Sequence, residues 1–424
     1  MRVSAHASEA VGGGGGTSTT KQVETCLFFW SALNSSVPDI QNRSPYETAR
    51  SETGDPLLLT PGPLTISAAT KQAMQHDYGS RDDRIIGATR WIREQLVDVV
   101  HGGDDYQCVL VQGSGTFAVE ATLGTLVPRG GKVLILVNGE YGRRMTTICS
   151  YQRRAFTTLE TTESVPVDPI ALDEALTADP DVTHVAVVYC ETTTGLLNPL
   201  GDVAAVTEAH NRSLIVDAMS AFGVLPLNLA ELRVQAVVGS ANKCLEGPPG
   251  FAFSIIRTDA LRAAEGNAPS LSLDLHAQWL GFERDGQWRF TPPTHVLLGF
   301  EHALREFHAE GAVEGRGSRY RRNCEVLIEG MGKIGLETFI EPHLQAPIIV
   351  TFRTPDDPAF DFVRLYQLLR SSGYVIYPGK LTEVDTFRIG CIGRLNEDDM
   401  RGVVAATGRA LRSMGVPDRP VLAP

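Results

Sequence analysis

Four short stretches of the chain carry side chains whose types and neighbours could do chemistry. The first is QGSGTFAVEA, which follows an apolar run ending at Val111. Small residues at Gly113, Ser114 and Gly115 would let the backbone approach a ligand. A helix starting near Thr116 would aim free N–H groups at that ligand, an arrangement suited to a phosphate, with the Ser114 and Thr116 hydroxyls as further donors. No Gly-Lys-Ser/Thr follows, so this is not a Walker A loop. It does fit a loose dinucleotide fingerprint, with Ala118 in the last glycine's place and Glu140 ending the next strand. A tight strand-to-helix turn without a ligand is the plain alternative. The second stretch is LIVDAMSAFG, where Asp217 follows three aliphatic residues. A carboxylate buried at a strand end is costly unless paired, so Asp217 either meets a cation or caps the following turn.

The third stretch, SANKCLEGPPGFAF, places Lys243 between small and apolar neighbours before a Gly-Pro-Pro-Gly turn. Lysine is seldom fully buried. Where it is, desolvation lowers its pKa and leaves the amine nucleophilic, which Schiff-base chemistry requires; the alternative is a lysine that snorkels to solvent. The fourth, DTFRIGCIG, sets Arg388 between Phe387 and Ile389 on a core strand. Its planar fork matches a carboxylate or a phosphonate, or it makes a structural salt bridge. Singly these readings stay open. Together, a phosphate cradle, a buried Asp and a buried Lys at successive strand ends describe a pyridoxal 5'-phosphate site. Lys243 would bond the cofactor, and Asp217 would keep the pyridine nitrogen protonated so that the ring acts as an electron sink. An NAD-dependent dehydrogenase, the second reading, leaves Asp217, Lys243 and Arg388 without a role.

These residues need a scaffold that brings strand ends together. Apolar runs at 108–111, 132–137, 184–189, 213–216, 236–238 and 251–256 alternate with helical stretches at 116–126, 141–153, 170–178 and 203–210. That alternation predicts an α/β fold, a mainly parallel sheet sandwiched by helices, with ligands at the carboxyl ends of the strands. A long helix over 294–310 leaves this unit. Beyond Gly311 the order of helices and strands predicts a smaller C-terminal α+β domain. The expected division is a disordered leader at 1–55, a large cofactor domain at 56–310 with 56–75 reaching the small domain, and the small domain at 311–424.

Composition narrows the function classes. Among 424 residues, 50 are acidic and 38 basic, a formal charge of −12. This argues against nucleic acid as a partner, which needs a concentrated basic face. No run approaches the roughly 20 apolar residues of a membrane span. The seven cysteines are scattered, odd in number and mostly in apolar runs. Reduced buried thiols in a cytoplasmic protein explain them better than disulfides, and no metal site is called for.

Along 57–411 the chain resembles the fold-type I, class V aminotransferases. The motifs that carry the likeness include LLLTPGPLT, QGSGTFAVEATLG, ETTTGLLNPL, VDAMSAFG, SANKCLEGPPGFAF, SLSLDLHAQW, WRFTPPTH, VIYPGK and FRIGCIG. The resemblance implies Lys243 as the Schiff-base lysine and Asp217 as the pyridinium partner. It implies Tyr141 stacked on the ring, Ser114, Gly115 and Thr116 around the phosphate with Asn242 beside them, and Thr192 at the ring hydroxyl. Thr291 or Thr294 would reach the phosphate of a neighbouring subunit, which implies a homodimer with shared active sites. Arg388 would hold the substrate anion. SLSLDL and the PGK…FRIG pairing imply transamination of 2-aminoethylphosphonate with pyruvate, giving phosphonoacetaldehyde and L-alanine. Alanine–glyoxylate or serine–pyruvate transamination, using the same cofactor residues, is the alternative. The chain departs from the family pattern in its leader and at Arg81, where some members carry tryptophan.

Overall fold

The apolar runs become the strands of one eight-stranded sheet, and the amphipathic stretches between them become its helices. The structure is a computed structural model that describes residues 3–6, 48–378 and 384–417. Its strands up to the sheet's last member are β1 (Val3–His6), β2 (Leu57–Leu58), β3 (Tyr106–Gly113), β4 (Lys132–Val137), β5 (Ala155–Glu160), β6 (Val182–Val188), β7 (Cys190–Glu191), β8 (Leu196–Leu197), β9 (Ser213–Asp217), β10 (Ala236–Ser240) and β11 (Gly250–Arg257). The large sheet runs β1–β5–β4–β6–β9–β10–β11–β3. From β5 through β10 every pairing is parallel, as expected for strands that are apolar on both faces. β11 reverses direction against both β10 and β3. The link between β10 and β11, residues 241–249, is too short for the crossover of about a dozen residues that a parallel neighbour would need. That short link carries Lys243.

Two features depart from the sequence reading. β5 reads AFTTLE, and its threonines hide a strand whose Thr157, Thr158 and Leu159 are buried. Within the leader, expected to lack structure, Val3–His6 pairs antiparallel with the free edge of β5. Ala49 also bonds the Ser372 carbonyl and packs on the second core. Residues 7–47, including the apolar island at 27–30, lie outside the described residues.

The helices Thr294–Ala309 and Ala312–Lys333 meet at Gly311, whose φ of +99° lets the chain turn between them. Past it, β12 (Ile349–Arg353), β13 (Tyr374–Val375), β14 (Tyr377–Pro378) and β15 (Thr386–Gly390) follow, with β12–β15–β14 forming a small antiparallel sheet. A second core forms here from Leu327, Phe352, Leu365, Phe387, Val403 and their neighbours. We propose the domain boundary at Gly311, dividing 56–310 from 311–424. The chain crosses it in both directions. β2 pairs with β13 and puts Leu57 and Leu59 into the second core, while Tyr320, Ile348 and Ile392 belong to the first. Among the described residues no helix is long and apolar enough to cross a membrane.

Candidate active site

β9 and β10 end side by side and β3 ends on the same edge beyond the intervening β11, with Val238 opposite Asp217 and Gly250 of β11 opposite Gly113. A cavity of about 290 Å³ opens at these ends. On one wall stand Ser114, Gly115 and Thr116. The helix Gly115–Leu126 has Ser114 at its cap position in an extended conformation with no side-chain cap bond, so its first amides are unclaimed by that side chain. Ser240 Oγ, on the same cavity, is buried without a hydrogen-bond partner among the described residues. A helix N-terminus with spare hydroxyls is a fitting seat for a phosphate.

Asp217 forms the floor and is 5% exposed. Its Oδ1 accepts from the Met219 amide at 2.9 Å, so it does cap the following turn. No basic side chain among the described residues lies within ion-pair distance of it. Burial pushes its carboxyl up to about 6, opposed by the Met219 bond and by the charges of Lys243 and Arg144. The capping reading of Asp217 is realised through one oxygen, and the other keeps acceptor capacity that a protonated pyridine nitrogen would satisfy.

Lys243 shares this cavity with Asn242. Part of its surface stays open, and that part lines the cavity. Burial brings its amine down to about 8; Cys244 and Asp217 oppose the fall and Arg388 adds to it. Gly62 closes the roof at φ +121°, and a Cβ there would lie 2.8 Å from both the Asn242 carbonyl oxygen and Lys243 Cδ. Tyr141 also lines the cavity, held above its ordinary pKa by burial. The Arg144 guanidinium lies 4.8 Å from the centre of its ring and donates to Thr116 Oγ1 at 3.3 Å. Arg144 thus links Tyr141 to the first turn of the helix Gly115–Leu126.

The turn bearing Lys243 is tied down from behind. Glu246 adopts φ +56°, unusual for a side chain of its size, and its amide bonds the Lys243 carbonyl. Its buried carboxylate accepts from Arg319 Nη2 at 2.6 Å and the Tyr320 hydroxyl at 2.5 Å. Arg316 Nη1 donates to the Cys244 carbonyl at 2.8 Å, and Arg319 Nη1 donates to the Gly393 and Leu395 carbonyls of the small domain. Sequence reading missed Glu246 and Arg144. No local signal reveals Glu246, whose partners lie more than 70 residues away; Arg144, three positions after Tyr141, is visible as a helix-face neighbour.

Five of the residues named from sequence are not on this cavity wall. Thr192 is 3% exposed, and its Oγ1 shares a 2.7 Å hydrogen bond with Ser220 Oγ. Arg388 is 7% exposed and donates to the Thr192 carbonyl at 3.1 Å and to the Pro378 carbonyl at 3.1 and 3.3 Å. It makes no carboxylate ion pair among the described residues, so the salt-bridge alternative is not realised there. Thr291 presents its carbonyl to Gln112 Nε2 at 2.6 Å, and Thr294 begins the helix Thr294–Ala309. Arg81 is exposed and stands away from the wall.

A sequence model of the family Aminotransferase class-V matches residues 65–376. The chain belongs to the class V aminotransferases. It is 50% identical over 366 residues to the 2-aminoethylphosphonate–pyruvate transaminase of Pseudomonas fluorescens (strain Pf0-1), covering 86% of this chain and 99% of that protein. Among solved structures it resembles pyridoxamine-pyruvate aminotransferase from Mesorhizobium loti, at TM-score 0.78 and 25% identity over 86% of this chain and 94% of that one. The alanine–glyoxylate aminotransferase of Nostoc sp. also scores 0.78 at 25% identity, over 89% and 100%. Pyridoxal phosphate is the cofactor of this class V aminotransferase, and the cradle, the unpaired Asp217 and the low-pKa Lys243 fit it. The dinucleotide reading of residues 112–118 is overturned by the family.

Proposed function

We propose that this aminotransferase moves the amino group of 2-aminoethylphosphonate to pyruvate, giving phosphonoacetaldehyde and L-alanine. The observation that carries the reading is the 50% identity, over nearly the whole length of both chains, to a protein named for that reaction. In the site, Ser114, Gly115 and Thr116 take the cofactor phosphate with Asn242 beside them. Tyr141 stacks on the ring, Thr192 meets the ring hydroxyl and Asp217 pairs with the ring nitrogen.

When bound, pyridoxal phosphate supplies an aldehyde that accepts the amino group and a ring that spreads the charge left by a departing proton. Lys243 Nζ moves that proton. Its amine, brought down to about 8, is free often enough near neutral pH to take the proton from the substrate carbon bearing nitrogen, and to return it when the reaction runs from pyruvate. Arg388 faces the substrate anion, a phosphonate in one half-reaction and a carboxylate in the other. Burial pulls on its charge, yet guanidinium remains ionised, and its present partners are neutral carbonyls. An incoming anion therefore meets an uncompensated cation.

The working form in this reading is a homodimer that shares its sites, with Thr291 or Thr294 turned toward the partner's cofactor phosphate; both lie off this chain's own cavity wall. A cytoplasmic setting is supported by six buried free cysteines among the described residues. Purified protein given pyruvate and 2-aminoethylphosphonate should form alanine many-fold faster than it forms alanine from pyruvate and serine, or glycine from glyoxylate and alanine. Preference for either of those pairs would reassign the substrate and leave the cofactor site standing.

A further inference from the structure

The helix Glu140–Tyr151 carries both Tyr141 and Arg144, yet nothing in its own sequence caps it. Its cap residue is Gly139, with no side chain and no cap bond. The missing cap comes from another part of the fold. A Cβ placed on Gly139 would lie 2.4 Å from Glu191 Cγ and Cδ and 2.7 Å from Oε2, so the glutamate fills the space a capping side chain would take. Glu191 is fully buried. Its Oε1 accepts from the Thr193 amide at 3.0 Å and from the Thr193 hydroxyl at 2.5 Å. That hydroxyl in turn accepts from the Glu140 amide, the first of the helix, at 3.3 Å. Oε2 is buried and makes no well-formed hydrogen bond among the described residues, leaving acceptor capacity against the helix end, where only the Tyr141 amide acts weakly on the carboxyl.

We propose that Glu191 is a positioning residue that caps the Tyr141 helix from across the site and so sets where the Tyr141 ring stands against the cofactor. Resting on the cofactor reading above, it assigns work to a carboxyl that reading leaves unused. The loop that supplies the cap also touches the other parts of the site. Next to Glu191, Thr192 bonds Ser220 through its hydroxyl and accepts from Arg388 through its carbonyl. Gly195, at the loop's end, accepts from the Ala346 amide of the small domain. One loop thus registers the ring-stacking helix against the arginine. Burial pushes the Glu191 carboxyl up to about 7, while the Thr193 hydroxyl and amide, and more weakly the Tyr141 amide, pull it back down.

A double-mutant cycle on cofactor binding tests the inference without relying on turnover. Apoprotein is titrated with pyridoxal phosphate, and the visible circular dichroism of the bound cofactor reports how its ring sits. Glu191→Ala should weaken binding about tenfold, the scale of one lost helix cap, and change the dichroic band. Tyr141→Ala should do the same, and the double variant should be no worse than Tyr141→Ala alone. Should Glu191→Ala fail to fold, Thr193→Val removes the bridging hydroxyl at constant shape and must couple to Tyr141→Ala in the same way. Glu191→Gln keeps the acceptor and the volume and should stay within about twofold of the parent. Additive effects of Glu191→Ala and Tyr141→Ala would overturn the inference while sparing the cofactor site. A Tyr141→Ala protein with unchanged affinity and dichroism would overturn the stacking assignment and this inference with it.

Discussion

Half-buried Lys243 and buried Arg388 are two cations assigned to one site, but the fold grips them differently. Lys243 sits on a turn whose next carboxylate, Glu246, is locked by Arg319 and Tyr320, with Arg316 on the Cys244 carbonyl. Arg388 is met by two backbone carbonyls, Thr192 and Pro378. The lysine must give up its proton to work, which burial favours, and its turn must be rigid. The arginine must keep its charge for an incoming anion, so a permanent carboxylate would compete with the substrate. A site that runs two half-reactions on different anions needs one cation that titrates and one that does not.

The largest break in that comparison comes from removing the lysine. Lys243→Ala should lower kcat by at least about 10³-fold while leaving the affinity for 2-aminoethylphosphonate little changed, as measured by steady-state alanine release and by titration of the loaded variant. Loosening the turn comes next. Glu246→Ala removes one of the two carboxylates shared by buried Arg316 and half-buried Arg319, which keep Glu310, and should cost about 1–3 kcal/mol in denaturant unfolding. Arg388→Ala should raise KM for both 2-aminoethylphosphonate and pyruvate by about 10- to 100-fold, the worth of charge-assisted hydrogen bonds, with a smaller change in kcat. An effect on one substrate only would break the shared-anion role.

The smallest effects lie in pH. Since the Lys243 amine titrates at about 8, the rate at which apoprotein takes up pyridoxal phosphate should climb about tenfold per unit below pH 8 and flatten above it, followed by absorbance. Glu191 and Asp217 act on stability instead. Their carboxyls sit at about 7 and about 6 in the fold against 4.5 and 3.8 as reference values, so between these limits the folded apoprotein binds more protons than the unfolded chain. Its melting temperature should therefore fall as pH rises through that window, and Glu191→Gln should flatten the upper part of the fall.

What could be seen in the sequence follows the same division. The cradle, Asp217 and Lys243 each stand beside an apolar strand, and a chemical group at the end of such a strand is a local signal. The parallel sheet was legible for the same reason, while β5 was not, because threonines at its centre imitate a polar stretch. The reversal of β11 could have been inferred from the shortness of residues 241–249. The supports were hidden. Arg388 is joined to Thr192 across 196 positions and Arg319 to Glu246 across 73, distances at which no spacing rule applies. Glu191 is hidden differently: in ETTTG it looks like a surface acid, and only the bare Gly139 opposite explains its burial.

The most direct test of the account is a half-reaction in isolation. Protein loaded with pyridoxal phosphate is mixed with 2-aminoethylphosphonate alone, and its visible absorbance is followed; pyruvate is then added and alanine counted. The account predicts that 2-aminoethylphosphonate converts the aldehyde form of the cofactor to the amine form, and that pyruvate restores it with one alanine released per site. An aldehyde absorbance untouched by 2-aminoethylphosphonate, but converted by alanine or serine, would contradict it.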